Sequence, residues 1–203
     1  MQAAAFSALV LPEVIGCPVP LLLQRVMLVA NQFCAESGVW DEVQASIPTL
    51  DGVVDYEISA PADADVVRVR SAWVDNIPLT PERLSRPSPD GMTPTGYHQA
   101  KGVNVLTLTQ KPVAGQSLVV RAVYAPKITS RVLPDFLMTS HQEAISSGVK
   151  GRLMAMSGQL WSNVALAQMY LGQFAAAIVD ARIASERDKV GGSLRVPSRR
   201  FGN

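Results

Sequence analysis

Between Pro18 and Phe33, Leu22, Val26, Val29, Ala30 and Phe33 recur at helical spacing, which predicts a first long helix. It starts at Pro18 to Pro20, because proline suits a first helical turn, and Ser37-Gly38 is its stop. Trp40 follows at once and is expected to pack back on that helix.

From about residue 43 the period changes to two. Ile47-Pro48-Thr49 and the run Val53 to Ile58 flank Asp51-Gly52, a hairpin signal. Val67, Val69, Ser71 and Trp73 alternate with Arg68, Arg70 and Ala72, the pattern of a half-buried strand. Asp75-Asn76 turns the chain, and Thr80 caps at most one helical turn through Leu84. Ser85 to Thr95 is rich in Pro, Ser, Asp and Gly and reads as a loop. Strands resume at Tyr97 to Ala100, Val103 to Thr109 and Leu118 to Tyr124, turning at Lys101-Gly102 and Ala114-Gly115. The middle is therefore an antiparallel sheet or small sandwich of about five or six strands.

Two helices follow. Pro134-Asp135 opens one that carries Phe136, Leu137, His141, Ile145, Val149, Leu153 and Met156, and Ser157-Gly158 breaks it. Ser162 caps the next, with Leu166, Met169, Tyr170, Phe174, Ala177, Ile178 and Ala181 on one side. Ala175-Ala176-Ala177 keeps a face thin enough for close helix approach, within or between subunits. No internal repeat or heptad seam is evident. The fold class is α+β: a helical bundle of one N-terminal and two C-terminal helices, an inserted antiparallel β region, and an extended C-terminal arm. The divisions fall at 1–42, 43–130, 131–190 and 191–203.

The arm stands apart from the body. Gly191-Gly192 is a hinge with little backbone restriction, and Pro197 stops a helix from resuming. Leu194, Val196 and Phe201 are apolar anchors among Arg195, Arg199 and Arg200, with no acidic residue. Such a segment buries too little of itself to offset its ordering entropy, so it is either a frayed terminus or an arm that orders on a partner; the alternating Leu194 and Val196 and the Arg199-Arg200-Phe201 run favour the docking arm.

Charge adds one constraint. Only 17% of the 203 residues are charged, against about 25% in an average chain, while the net charge is +1 and mean hydropathy is +0.17. No global field draws the chain to nucleic acid or membrane. The apolar surplus points to subunit interfaces. Ala3 to Leu11 looks faintly like a leader but lacks a basic start, and Pro12-Glu13 interrupts it. Leu21 to Phe33 is too polar to span a bilayer. The chain reads as a soluble protein made in the cytoplasm.

Motifs for catalysis are absent: no Gly-x-Ser-x-Gly elbow, no phosphate-cradling glycine loop and no His-Glu-x-x-His. His98 reads as a surface or sheet-edge residue and His141 as a core or interface residue. Ser140 and Glu143, the neighbours that could complete a hydrolytic trio with His141, diverge around a helix. Cys17, Cys34, His98 and His141 lack the close spacing of a zinc site, and the cysteines read as buried hydrophobes. Asp41-Glu42, Asp63 and Asp65 read as solvated turn residues; Trp40, Trp73 and Trp161 read as packing residues. No catalytic residue, metal site or cofactor is expected. The alternative to an assembly role is a nucleic-acid-binding module using the basic arm and the Arg68/Arg70 face, although solvated charges explain that face as well.

Several segments resemble the head-to-tail adaptor (connector) proteins of tailed bacteriophages, also called tail tubular or head-completion proteins. They are Leu21 to Val26 with Asn31 to Cys34 and Val39-Trp40; Leu133 to Leu137; His141 to Ile145; Leu153 to Met156 with Trp161 to Asn163; and the closing Leu194 to Phe201. The resemblance implies a structural virion protein at the head–tail junction. It further implies a ring of about twelve copies under the portal, a lumen through which viral DNA passes without sequence-specific binding, and no membrane. Leu194, Arg195, Val196, Arg199, Arg200 and Phe201 would then dock on the portal protein. The β region would face a tail or head-closure (nozzle) protein.

Overall fold

The computed structural model describes residues 2–82, 95–99 and 104–187. Its helical core begins earlier than the periodicity shows. A 3₁₀ turn (Ala3–Phe6) runs into the one-turn helix α1 (Ser7–Val10), and Phe6, Val10 and Val14 are fully buried. The stretch that looked faintly like a leader is thus core, and a segment this short leaves too few positions for a period to register. Helix α2 (Val19–Ser37) follows Pro18 and ends where Gly38 adopts a left-handed φ of 65°, its N–H bonded to the Cys34 carbonyl. Leu22, Val26, Val29, Ala30 and Phe33 are all buried, as predicted. Cys17 and Cys34 are free and buried, and burial pushes the Cys34 thiol up to about 12. Trp40 packs less on the helix than expected: its ring lies 5.9 Å from Tyr124 and 6.2 Å from Phe136, where helices meet sheet.

The β region is a two-layer sandwich. Its strands are β1 (Asp41–Val43), β2 (Ile47–Pro48), β3 (Asp55–Glu57), β4 (Ala64–Val74), β5 (Ile77–Pro78), β6 (Thr80–Pro81), β7 (Gly96–Gln99), β8 (Val105–Leu108) and β9 (Ser117–Pro126). One sheet runs β1-β9-β4-β5 with β2 also on β9, and the other runs β3-β8-β7-β6. All pairs are antiparallel except β6 with β7. Tyr56, Ile58, Val74, Leu106, Leu108 and Leu118 fill the space between the sheets.

Three expectations change here. Asp51-Gly52 does turn, with Gly52 at φ 74°, but it makes no hairpin. β2 pairs with β9 in one sheet and β3 with β8 in the other, so this turn carries the chain between layers. Buried Thr49 fixes it by donating to the Val113 carbonyl at 2.6 Å, and the Tyr56 hydroxyl donates to the Val53 carbonyl at 2.9 Å. Thr80-Pro81 extends beside Gly96-Tyr97 instead of starting a helical turn; Leu84, most of the 85–95 loop and Lys101-Gly102 lie outside the described residues. Asp75-Asn76 turns as predicted, with φ of 49° and 65°.

The third change concerns β4, whose buried face is not the predicted one. Its pairing with β9 skips a residue between Val66 and Arg68, and again between Val69 and Ser71. Each bulge adds one residue and inverts the alternation that follows it. Ala64, Val66, Val69, Ala72 and Val74 consequently serve the inter-sheet core, whereas Val67 packs on the helical core. Trp73 is only half-buried on the outer face.

The stretch predicted as one helix from Pro134 is two, α3 (Phe136–Ser140) and α4 (Gln142–Met154), followed by α5 (Val164–Arg187). His141 breaks the first pair with non-helical φ −133° and ψ 18°. Asn163, not Ser162, caps α5 by accepting the Leu166 N–H at 3.1 Å. The core stripe of α5 is Ala167, Phe174, Ile178 and Ala181, while Leu166 and Met169 are exposed. Gly148 and Gly151 let α4 press against α2 and α5. A Cβ at Gly148 would stand 2.7 Å from Val29 and 2.8 Å from Phe174, and one at Gly151 would stand 2.9 Å from Leu171.

A polar cluster ties the N-terminal segment to this packing. Glu13 accepts from Lys150 Nζ at 2.5 Å and from the Tyr170 hydroxyl. The Lys150 hydrogen bond first, and the Tyr170 hydroxyl second, hold the Glu13 carboxyl below its ordinary value of 4.5. A depressed acid contributes stability above its unfolded pKa and loses it as pH falls through the folded value. The stability difference between the native chain and Glu13→Gln should therefore shrink on acidification below pH 4.5. Urea titrations at neutral pH and at successively lower pH measure this.

Candidate functional site

The last turns of α5 are held by the C-terminus of α2. A helix leaves its last carbonyls without internal partners and concentrates partial negative charge there. Here three guanidiniums meet them. Arg68 donates to the Ala35 carbonyl at 3.3 Å and Arg70 to Gly38 at 3.1 Å. Arg182 of α5 donates twice to Glu36, at 2.9 and 2.7 Å. Ser185, one turn further along α5, donates to the Gly38 carbonyl at 3.0 Å, and Arg70 also reaches its hydroxyl at 3.3 Å.

Asp41 anchors the cluster from the sheet. Its carboxylate accepts from Arg70 at 3.1 Å and from Arg121 at 3.3 Å, and its side chain is only 11% exposed. Burial first, and the neighbouring Arg70 and Arg182 charges second, push the Arg68 pKa down; a guanidinium nonetheless stays charged. The effect is mechanical. The α2 terminus, β4 and the last turns of α5 become one unit.

The bulges in β4 explain why Arg68 and Arg70 point here. Read as a regular strand they share a solvated face; in the structure both turn toward the helical body. The surface that a nucleic acid would need is thereby committed to helix carbonyls and to Asp41. Asp41 is accordingly not a solvated turn residue. Nothing in the sequence analysis singles out Arg182 or Ser185; their only signal is that they stand three apart, one turn on the same side of a helix. We expect Arg70→Ala to lower stability by about 2–3 kcal/mol, because it leaves a mostly buried carboxylate and the Gly38 carbonyl short of a donor. Chemical denaturation of the variant beside the native chain measures it.

Gly191, Gly192, Leu194, Arg195, Val196, Arg199, Arg200 and Phe201 lie outside the described residues. His141 is half-buried, its ring 4.9 Å from Phe33 and edge-on to Phe136 at 6.2 Å. Burial lowers its pKa. Ser140, His141 and Glu143 all border one open cavity beside Ala177 and Asp180 of α5, but among the described residues no hydrogen bond joins His141 to either neighbour. His98 sits on β7, 3.4 Å from the Glu82 carbonyl. Among the described residues no cluster of three His, Cys, Asp or Glu side chains could hold a metal ion.

A second surface lies at the opposite end of β9. That strand meets the helical core at Ala125 and Pro126, where Asn31 donates to the Pro126 carbonyl at 2.8 Å. Ten residues at about 3.3 Å each carry its other end roughly 30 Å away. There Leu50 and Val113 are exposed on adjoining loops, which the Thr49 hydroxyl links.

No curated protein matches the sequence. A family model described as SU10 adaptor protein does match, over residues 7–197. That span takes in most of the helical core, the sandwich and the sequence beyond α5 as far as Pro197. The chain belongs to the SU10 adaptor protein family, a family of phage head–tail adaptors.

Proposed function

We propose that the protein is the head-to-tail adaptor of a phage particle: about twelve copies form a ring beneath the portal, extend the DNA channel and present the attachment surface for the tail. Residues 1–42 and 131–190 form the helical-bundle body, 43–130 the inserted β domain, and 191–203 the portal-docking arm. The observation that carries this reading is the family match over residues 7–197, a span that reaches past Gly191-Gly192 to Pro197.

In this reading Arg195, Arg199 and Arg200 pair with carboxylates or carbonyls of the portal protein, and Leu194, Val196 and Phe201 fill shallow pockets. Gly191-Gly192 lets the rigid body seat first and the arm order afterwards. The clamp on α5 sets where the arm departs. The Leu50/Val113 end of the sandwich, farthest from the helices along β9, faces the tail or head-closure (nozzle) protein. Ring closure uses heterologous contacts between neighbouring copies, and DNA passes the lumen without sequence-specific binding. The role is structural, with no catalysis.

Mixing the protein with purified portal rings tests the reading. Electron micrographs should show an added ring coaxial with the portal, and mass measurement should show many copies per portal. A portal that takes up no protein over the micromolar range contradicts it.

A further inference from the structure

Where the α3–α4 corner faces α5, the structure leaves a trough. Its wider part, about 540 Å³, is lined by Ala177, Ala181 and Ala184 of α5 and by His141. A second hollow of about 390 Å³ shares His141, Ala181 and Ala184 with it and continues toward Arg121, which is paired with Asp41 at 3.1 Å. Asp180 and Glu143 border the wider part. Both are exposed, and among the described residues no hydrogen bond or ion pair engages either carboxylate. The trough thus combines small apolar side chains with two uncompensated negative charges.

Such a surface fits an extended peptide that carries apolar side chains and adjacent cations, and this chain holds one. Residues 189–203 include Lys189, Arg195, Arg199 and Arg200, no acidic side chain, and the apolar Leu194, Val196 and Phe201. The segment also begins beside the trough, since α5 runs to Arg187, one turn beyond Ala184. From Arg187 back to Asp180 is about 10 Å along the helix at 1.5 Å per residue. The twelve residues from Asp188 to Arg199 can span about 40 Å. A reversal at Gly191-Gly192 therefore brings the arginines to Asp180 with length to spare.

We infer that in the free protein the arm lies in the trough of its own chain, with Leu194 and Val196 against the alanines and His141, and with Arg199 and Arg200 at Asp180 and Glu143. Ion pairs between exposed groups are weak and screened by salt, so the trough holds the arm loosely and leaves the melting curve where it is. The consequence for assembly rests on the portal reading above: the portal displaces the arm from this trough, and a copy that has met no portal keeps its basic segment occupied.

The test uses the full chain and the chain ending at Val190, both without portal. His98 and His141 are the only histidines, so their imidazole proton signals report β7 and the trough separately. At about 50 mM salt the His141 signals of the two chains should differ while those of His98 coincide, and about 0.5 M salt should remove most of the difference. A synthetic peptide of residues 194–203, added to the shortened chain in the millimolar range that a short tether supplies, should move its His141 signals toward the full-chain positions. Asp180→Asn combined with Glu143→Gln, both at exposed positions, should weaken peptide binding at least about threefold and shrink the difference between full and shortened chains. Coincident His141 signals in those two chains overturn the inference. So does a peptide that binds the doubly substituted chain as well as the native sequence. A difference that grows with protein concentration and accompanies dimers puts the arm in another copy, and overturns it too. With no portal present, failure of the portal reading leaves each of these outcomes unchanged.

Discussion

Gly148→Val should lower the stability of the protein by about 2–3 kcal/mol, the cost of overfilling a packed core. Even the first added carbon would lie 2.7 Å from a Val29 methyl and 2.8 Å from the Phe174 ring. Neither neighbour has room to withdraw: Val29 is fully buried, and Phe174 is 4% exposed between α2 and α4. The two γ-methyls of valine enlarge the collision, and its stiff χ1 in a helix leaves few ways round it. For a chain of this length the loss corresponds to a fall of roughly 5–10 °C in the thermal midpoint. Gly172→Ala supplies the contrast, since the added methyl meets nothing and the gain in helix propensity is up to about 1 kcal/mol. Melting curves of the two variants should move in opposite directions. Equal midpoints for Gly148→Val and the native chain would refute the close packing of α2, α4 and α5.

That packing was only partly legible in the sequence. α2 could be read almost to the residue because its period, its opening prolines and its Gly38 stop agree. The Asp75-Asn76 turn was legible for a similar reason, since those residue types tolerate left-handed backbone. Errors arose where long-range pairing decides. Nothing local distinguishes Asp51-Gly52 as a hairpin from Asp51-Gly52 as a crossing between sheets; the buried Thr49 hydroxyl and its partners near Val113 make the choice. Two bulges in β4 break the strict alternation that places Arg68 and Arg70 on a solvated face, and both serve the end of α2 instead. His141 was placed on the apolar side of one helix, and its ring does pack on Phe33, but the backbone there breaks the helix in two. Likeness to head–tail adaptors was legible in the order of several short segments, and the family match over residues 7–197 places the chain in that family.

Removing the arm should have the largest functional effect. A chain ending at Val190 keeps every clamp contact described at the α2–α5 junction, so its body should fold and melt like the full chain. It loses Leu194, Val196, Phe201 and three arginines, the groups proposed to supply the portal contacts. Hot-spot residues of this kind each contribute about 2 kcal/mol or more at an interface; losing several should weaken portal binding by at least a hundredfold. The decisive measurement is the affinity of portal rings for the full chain and for the chain ending at Val190, with thermal unfolding recorded on both. The account predicts ring-sized complexes with the full chain, little or none with the shortened one, and matching unfolding curves. Equal portal affinity for the two chains would contradict it.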